Sequence, residues 1–204
     1  MMIKKIKIKI ANKINDMVIN TQMNNAISVA ASICNRETFG DIKDCFKGRD
    51  VVLCGAGPSL TKYDGIDGAI HVALNSALLH EKIEYDWFIA DDWMGLFWFR
   101  ENILNYQCKK FFGHQIGDTS RQIPETFLRA NNAKRYYTDT YIVQSGFKSR
   151  FVCDIDKMAI GNMPNIALSA MQILLFTNPR RIYLVGCDAS GGHHMENNID
   201  ESTK

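Results

Sequence analysis

Between Asp50 and Asp188 the chain repeats one pattern, a short unbroken apolar run that stops abruptly at small or polar residues. Val51-Val52-Leu53-Cys54 ends at Gly55-Ala56-Gly57-Pro58-Ser59, and Ile70 to Leu74 ends at Asn75-Ser76. Trp87-Phe88-Ile89-Ala90 ends at Asp91-Asp92, and Ile182-Tyr183-Leu184-Val185 ends at Gly186-Cys187-Asp188. Lys110-Phe111-Phe112 offers a further run. Continuous rather than alternating hydrophobicity marks strands buried on both faces, as in a parallel sheet. Helical segments are expected between the runs, over Met94 to Tyr106, Ile123 to Ala130 and Pro164 to Phe176. In the last of these Ile166, Ala170, Ile173 and Leu174 share a face, and Pro164 is tolerated in a first turn. Strands alternating with helices predict an α/β fold, a doubly wound, mostly parallel sheet with helices on both faces. Ligands of such sheets bind outside the carboxyl ends of the strands, so the residues that end the runs are the first candidates for a site.

Composition narrows the class. A length of 204 residues suits one domain with a short appendage. Hydrophobic residues at 46% and charged residues at 23% exclude wholesale disorder and fibrous repeats. A net charge of +2 is too balanced for a dedicated nucleic-acid binder. The longest mostly apolar stretch, Ile166 to Phe176, falls short of the ~20 residues of a membrane span. The start, MMIKKIKIKIANK, lacks the apolar region and cleavage site of a secretory signal, so a cytoplasmic location is expected. Cys34, Cys45, Cys54, Cys108, Cys153 and Cys187 form no CxxC pair and read as reduced thiols.

Residues 1–35 stand apart from the domain at 36–195 and the polar tail at 196–204. Lys4, Lys5, Lys7, Lys9 and Lys13 occur there without an early acid, and Ile3, Ile6, Ile10 and Ile14 could line one helical stripe. Ile6, Ile8 and Ile10 would equally suit a strand. Such a segment is a packing helix, a contact between copies, or a peripheral contact with an anionic membrane surface.

Four segments carry candidate chemistry. The turn Gly55 to Ser59 could present backbone N–H groups to phosphate or ribose, or be a tight structural turn. Its dinucleotide fingerprint fails twice, because Leu60 or Thr61 stands at the third glycine and Asn75 at the acid of the second strand end. Asp91-Asp92 could hold a divalent cation, accept hydrogen bonds from a sugar or base, or cap a helix. In IGNMPN, Asn162 or Asn165 could cap the following helix or bring its N-terminus to a phosphate. Finally, Asp188 is followed by Gly191-Gly192 and by His193-His194, candidates for a general acid or base or merely an exposed loop.

DVVLCGAGPSL, IHVALNSAL, YDWFIADD and RIYLVGCDASGGHH, in that order, resemble the bacterial sialyltransferase-like and motility-accessory-type glycosyltransferases. The resemblance spans about residues 36–194. It implies a Rossmann-like domain that binds a nucleotide-sugar, CMP-sialic acid in the sialyltransferases, and transfers the sugar to a glycan or protein acceptor in surface-polysaccharide or lipopolysaccharide biosynthesis. It also implies that Gly55, Ala56, Gly57, Pro58 and Ser59 cradle the nucleotide, with contacts from Asn75, Asp91, Asn162, Asn165, Gly186 and Asp188. Asp91 departs from the asparagine of the sialyltransferases, and Asn162 to Asn165 lack their Ser-Gly. His193 or His194 would deprotonate the acceptor hydroxyl. The N–H of Gly57, or the helix starting near Pro164, would stabilise the departing phosphate. Relatives continue with further helices where this chain ends in a polar tail, so a truncated or minimal form is expected.

The resemblance requires no metal. Two alternatives stay open. One is a Mg²⁺-dependent pyrophosphokinase resembling the hydroxymethylpterin enzymes, with Asp91, Asp92 and Asp188 on the ion. The other is a non-catalytic nucleotide-binding module. A homo-oligomer and a contact with the inner membrane through the basic start are further expectations.

Overall fold

The computed structural model describes residues 34–91, 100–116, 123–139, 151–161 and 165–188. The basic start, apart from Cys34 and Asn35, and the polar tail lie outside the described residues. So do the membrane and oligomer contacts expected of the start.

Seven strands form one sheet: β1 (Asp50–Cys54), β2 (Ile70–Leu74), β3 (Trp87–Ala90), β4 (Lys109–Gln115), β5 (Ala133–Asp139), β6 (Ile160–Gly161) and β7 (Arg181–Val185). Every adjacent pair is parallel. The order across the sheet is β6-β5-β4-β3-β2-β1-β7. From β1 to β6 the chain therefore steps outward one strand at a time, and then returns to place β7 on the free side of β1. The direction of winding reverses between β1 and β7, and such reversals open a crevice at the carboxyl edge.

Each face of the sheet carries its own apolar layer, because alternate residues of a strand point to opposite faces. Val51 and Leu53 enter one layer with Phe39, Phe111, Tyr136 and Ile173. Val52 and Cys54 enter the other with Leu60, Phe88, Ile103, Phe112 and Leu128. Helices α1 (Arg36–Phe39) and α4 (Ile166–Phe176) cover the first face, and α2 (Arg100–Asn105) and α3 (Glu125–Ala130) cover the second. Two 3₁₀ turns, Pro58–Lys62 and Asn75–Leu79, add Leu60, Ala77 and Leu78 to the second layer. The fold is thus the expected α/β Rossmann-like architecture. Of the residues expected to face inward in α4, Ala170, Ile173 and Leu174 are fully buried and Ile166, in the first turn, is half-buried. Gln172 on the same helix accepts from the N–H groups of Val152 (2.9 Å) and Gly161 (3.2 Å) and donates to the Gly161 carbonyl (2.9 Å). No described helix is long and apolar enough to cross a membrane.

Residues 34–49 strap the first face. Asn35 accepts from the Tyr137 N–H at 2.9 Å and donates to the Met158 carbonyl at 3.0 Å. Phe39 packs on Phe111 and Tyr136, each with ring centroids 5.9 Å away. Phe46 packs against Trp87 with tilted rings whose centroids are 4.4 Å apart, and its N–H reaches the Thr177 carbonyl at 3.0 Å.

Two strands escape an apolar-run reading. β5 reads Ala-Lys-Arg-Tyr-Tyr-Thr-Asp, with charged residues that find partners off the sheet: Lys134 bonds Asp41 at 2.9 Å and Arg135 bonds Glu125 at 2.6 Å. β6 has two residues, too few to leave a pattern. All six cysteines are free, as expected.

Candidate functional site

The reversal of winding sets β7, β1, β2 and β3 side by side, and their carboxyl ends deliver Gly186 to Asp188, Gly55 to Ser59, Asn75 and Asp91 in that order. Adjacent strands are ~4.8 Å apart, so the row from β7 to β3 spans about 14 Å. The register keeps the ends level: Cys54 faces Ala73 on one side and Val185 on the other, and Leu74 faces Ile89.

The two loops beside the reversal bond to each other. The Gly55 N–H donates to the Val185 carbonyl at 2.8 Å, and the Gly57 N–H to the Gly186 carbonyl at 2.7 Å. The Ser59 hydroxyl accepts from the Gly186 N–H at 2.8 Å and donates to Oδ2 of Asp188 at 2.9 Å. Ser59 also gives its backbone N–H to that oxygen at 2.9 Å. These two donations hold the Asp188 carboxyl below the usual carboxylate range.

The glycines serve this loop–loop contact. A Cβ on Gly55 would lie 3.0 Å from the Gly186 carbonyl carbon and 3.1 Å from Cys187 Sγ. One on Gly57 would come within 2.8 Å of the Gly186 oxygen. Gly186 has φ +65°, a left-handed conformation that favours glycine. The expectation that the Gly57 N–H stabilises a departing phosphate is therefore corrected, because that donor is already given to the Gly186 carbonyl in the loop after β7. What the turn offers a ligand is the half-buried surface of Ala56, Gly57 and Pro58.

Asn75 follows β2 with φ +48°, a region that asparagine tolerates better than most residues. Its Oδ1 is buried and has no hydrogen-bond partner among the described residues. A sealed acceptor of this kind costs about 1–3 kcal/mol until something donates to it.

Asp91 follows β3 and is half-buried. Its Oδ1 accepts a hydrogen bond from the Tyr136 hydroxyl of β5. Tyr136 has no exposed surface, and burial followed by the Asp91 charge pushes its phenol well above the ordinary value, so it stays a proton donor. The carboxylate lies over Gly113 of β4, where a Cβ would sit 3.1 Å from Asp91 Cγ and 3.1 Å from Tyr136 Cζ. Neither Tyr136 nor Gly113 is a candidate from the sequence. A glycine inside the strand Lys109–Gln115 is the one local signal of a close approach there.

The remaining candidates divide. Asn165 accepts from the Ala167 N–H at 2.8 Å, which makes it the N-cap of α4. It follows β6, at the far end of the strand order from β7. Asn162, Asp92, His193 and His194 lie outside the described residues. Among the described residues no group of three or more His, Cys, Asp or Glu side chains is placed to hold a metal ion. Asp91 and Asp188 end strands three positions apart, about 14 Å, and cannot share one cation. Two cavities, about 810 Å³ beside α2 and about 540 Å³ at Asp41, Lys109 and Lys134, are lined by none of these strand-end residues. The chain matches no protein-family model and no curated protein.

Proposed function

We propose that the protein is a glycosyltransferase of the sialyltransferase-like kind, taking a nucleotide-sugar across the carboxyl ends of β1, β2 and β3. The observation that carries this reading is the pairing, one and two strands from β1, of an Asn75 acceptor that no described residue answers with an oriented carboxylate on Asp91. From the Gly57 turn to Asp91 is two strand spacings, about 10 Å, the length of a nucleoside. Asn75 lies between them and accepts from an N–H or O–H of the nucleotide. The chemistry is displacement at the anomeric carbon. An acceptor oxygen forms the new bond, the bond from that carbon to the phosphate oxygen breaks, and the nucleotide departs with the electron pair. The acceptor's proton passes to His193 or His194. The acceptor is a glycan or protein hydroxyl in surface-polysaccharide synthesis, reached from the cytoplasmic side of the inner membrane.

Calorimetric titration with CMP-, UDP- and GDP-sugars tests the reading. One of them should bind, and Asn75→Ala should weaken it about 10-fold, the size of one lost hydrogen bond in a buried setting. Silence from all three ends the proposal. A nucleotide that binds but is never cleaved with any acceptor points instead to a non-catalytic module.

A further inference from the structure

Tyr136 and Asp91 belong to strands that do not touch. β4 separates them, so their backbones are about 10 Å apart. The side chains meet because Gly113, the β4 residue level with both, has no side chain: Gly113 pairs with Tyr136, and Ala90, just before Asp91, pairs with Phe112. The Tyr136 ring is fixed by full burial and by Phe39 at 5.9 Å. A buried phenol whose hydroxyl crosses β4 within one face of the sheet to hold one carboxylate oxygen, over a glycine that makes room, fixes where that carboxylate sits.

We infer that Tyr136 is a positioning residue for the candidate site, holding the Asp91 carboxylate across Gly113 so that it accepts from the ribose hydroxyls of the bound nucleotide. This inference rests on the nucleotide-sugar reading above. An ionised carboxylate accepts through about four lone pairs and donates nothing. It suits the neutral O–H donors of a vicinal diol and repels a phosphate. With one oxygen tied to Tyr136, the carboxylate meets the diol already oriented, which saves the ordering cost a free side chain would bear.

The test uses the full chain, with CMP, UDP and GDP and their 2′-deoxy counterparts as probes in calorimetry. The wild type should prefer the ribonucleotide. Tyr136→Phe should bind it about 10-fold more weakly, with the preference over the 2′-deoxy form compressed towards one. Loss of the donor also makes the carboxylate easier to protonate, so the acid limb of the binding profile should move to higher pH in Tyr136→Phe. A merely structural tyrosine would not move that limb. In the Asp91→Asn background, Tyr136→Phe should add no further loss of affinity. Equal affinity and an unchanged pH profile in Tyr136→Phe overturn the inference while leaving the nucleotide reading intact. A wild type silent to every nucleotide overturns both. Should Tyr136→Phe fail to fold, Asp91→Asn tests the same unit from its half-buried end, and a retained preference for ribose overturns the inference.

Discussion

The Ser59 hydroxyl bridges the two loops at the reversal of winding, accepting from the Gly186 N–H at 2.8 Å and donating to Asp188 Oδ2 at 2.9 Å. One small side chain thus satisfies a buried backbone donor and orients an exposed carboxylate at the rim of the site. Ser59→Ala should leave the Gly186 N–H without an acceptor, lowering stability by about 1–2 kcal/mol in urea unfolding. An unchanged urea midpoint would show that water replaces the hydroxyl without cost.

The carboxylates tied by hydrogen bonds set the response to acid. Asp188, Asp50 and Asp41 all have carboxyls held below their ordinary values, first by Ser59, Arg180 and Lys134 respectively. A depressed folded-state value gives stability that is present above the unfolded value of about 3.9 and is lost as pH falls through the folded one. The urea midpoint should therefore fall on acidification below about pH 4, and Asp188→Asn should make that fall shallower. An identical slope in the variant would remove Asp188 from this account.

Gly55 and Gly48 separate two reasons for a glycine. A Cβ on Gly48 would meet nothing within 4 Å, and only its φ of +78° resists substitution. A Cβ on Gly55 would strike the β7 loop backbone. Gly55→Ala should cost about 1–3 kcal/mol or more through overpacking, and Gly48→Ala about 1 kcal/mol. Thermal unfolding of the two variants should rank them in that order. The reverse order would mean the two loops can move apart.

Asn35 is 1% exposed and joins the strap to β5 through the Tyr137 N–H and to the segment before β6 through the Met158 carbonyl. Asn35→Ala should cost about 1–3 kcal/mol and speed amide hydrogen exchange at Tyr137. Exchange at the wild-type rate would show that the strap is not what protects this strand.

Burial pushes the Cys54 thiol up to about 12 and the Cys108 thiol up to about 11. Cys34, Cys45 and Cys153 are exposed. A thiol reagent at neutral pH should modify these three first and reach Cys54 only after denaturation. Rapid modification of Cys54 in the native protein would contradict its packing.

The apolar runs at Val51 to Cys54, Ile70 to Leu74, Trp87 to Ala90 and Ile182 to Val185 are strands as their continuity predicts. So is the stretch around Phe111, extended in both directions to Lys109 and Gln115. β1, β2 and β3 lie inside a two-sided core, where nearly every position is apolar, and that demand is written locally; β7, at the edge of the sheet, keeps an apolar run although Leu184 is 54% exposed. β5 is different. Its Lys134 and Arg135 are paired with Asp41 and Glu125 on other elements, so its sequence shows polar residues without showing what satisfies them. The polar strand ends at Asn75 and Asp91 are legible for the same reason as the runs, since the apolar demand stops where the buried strand does.

Residue type alone, then, determined a parallel α/β sheet and the row of polar residues at its strand ends. The tertiary structure decided that β7 returns beside β1 and that Gly55, Gly57 and Gly186 serve the contact between two loops. It also decided that Asp91 is held by a tyrosine from two strands away. Hydrophobic periodicity is a property of neighbours in sequence, whereas a close approach between glycines, or a bond across a missing side chain, exists only after distant strands have taken their places.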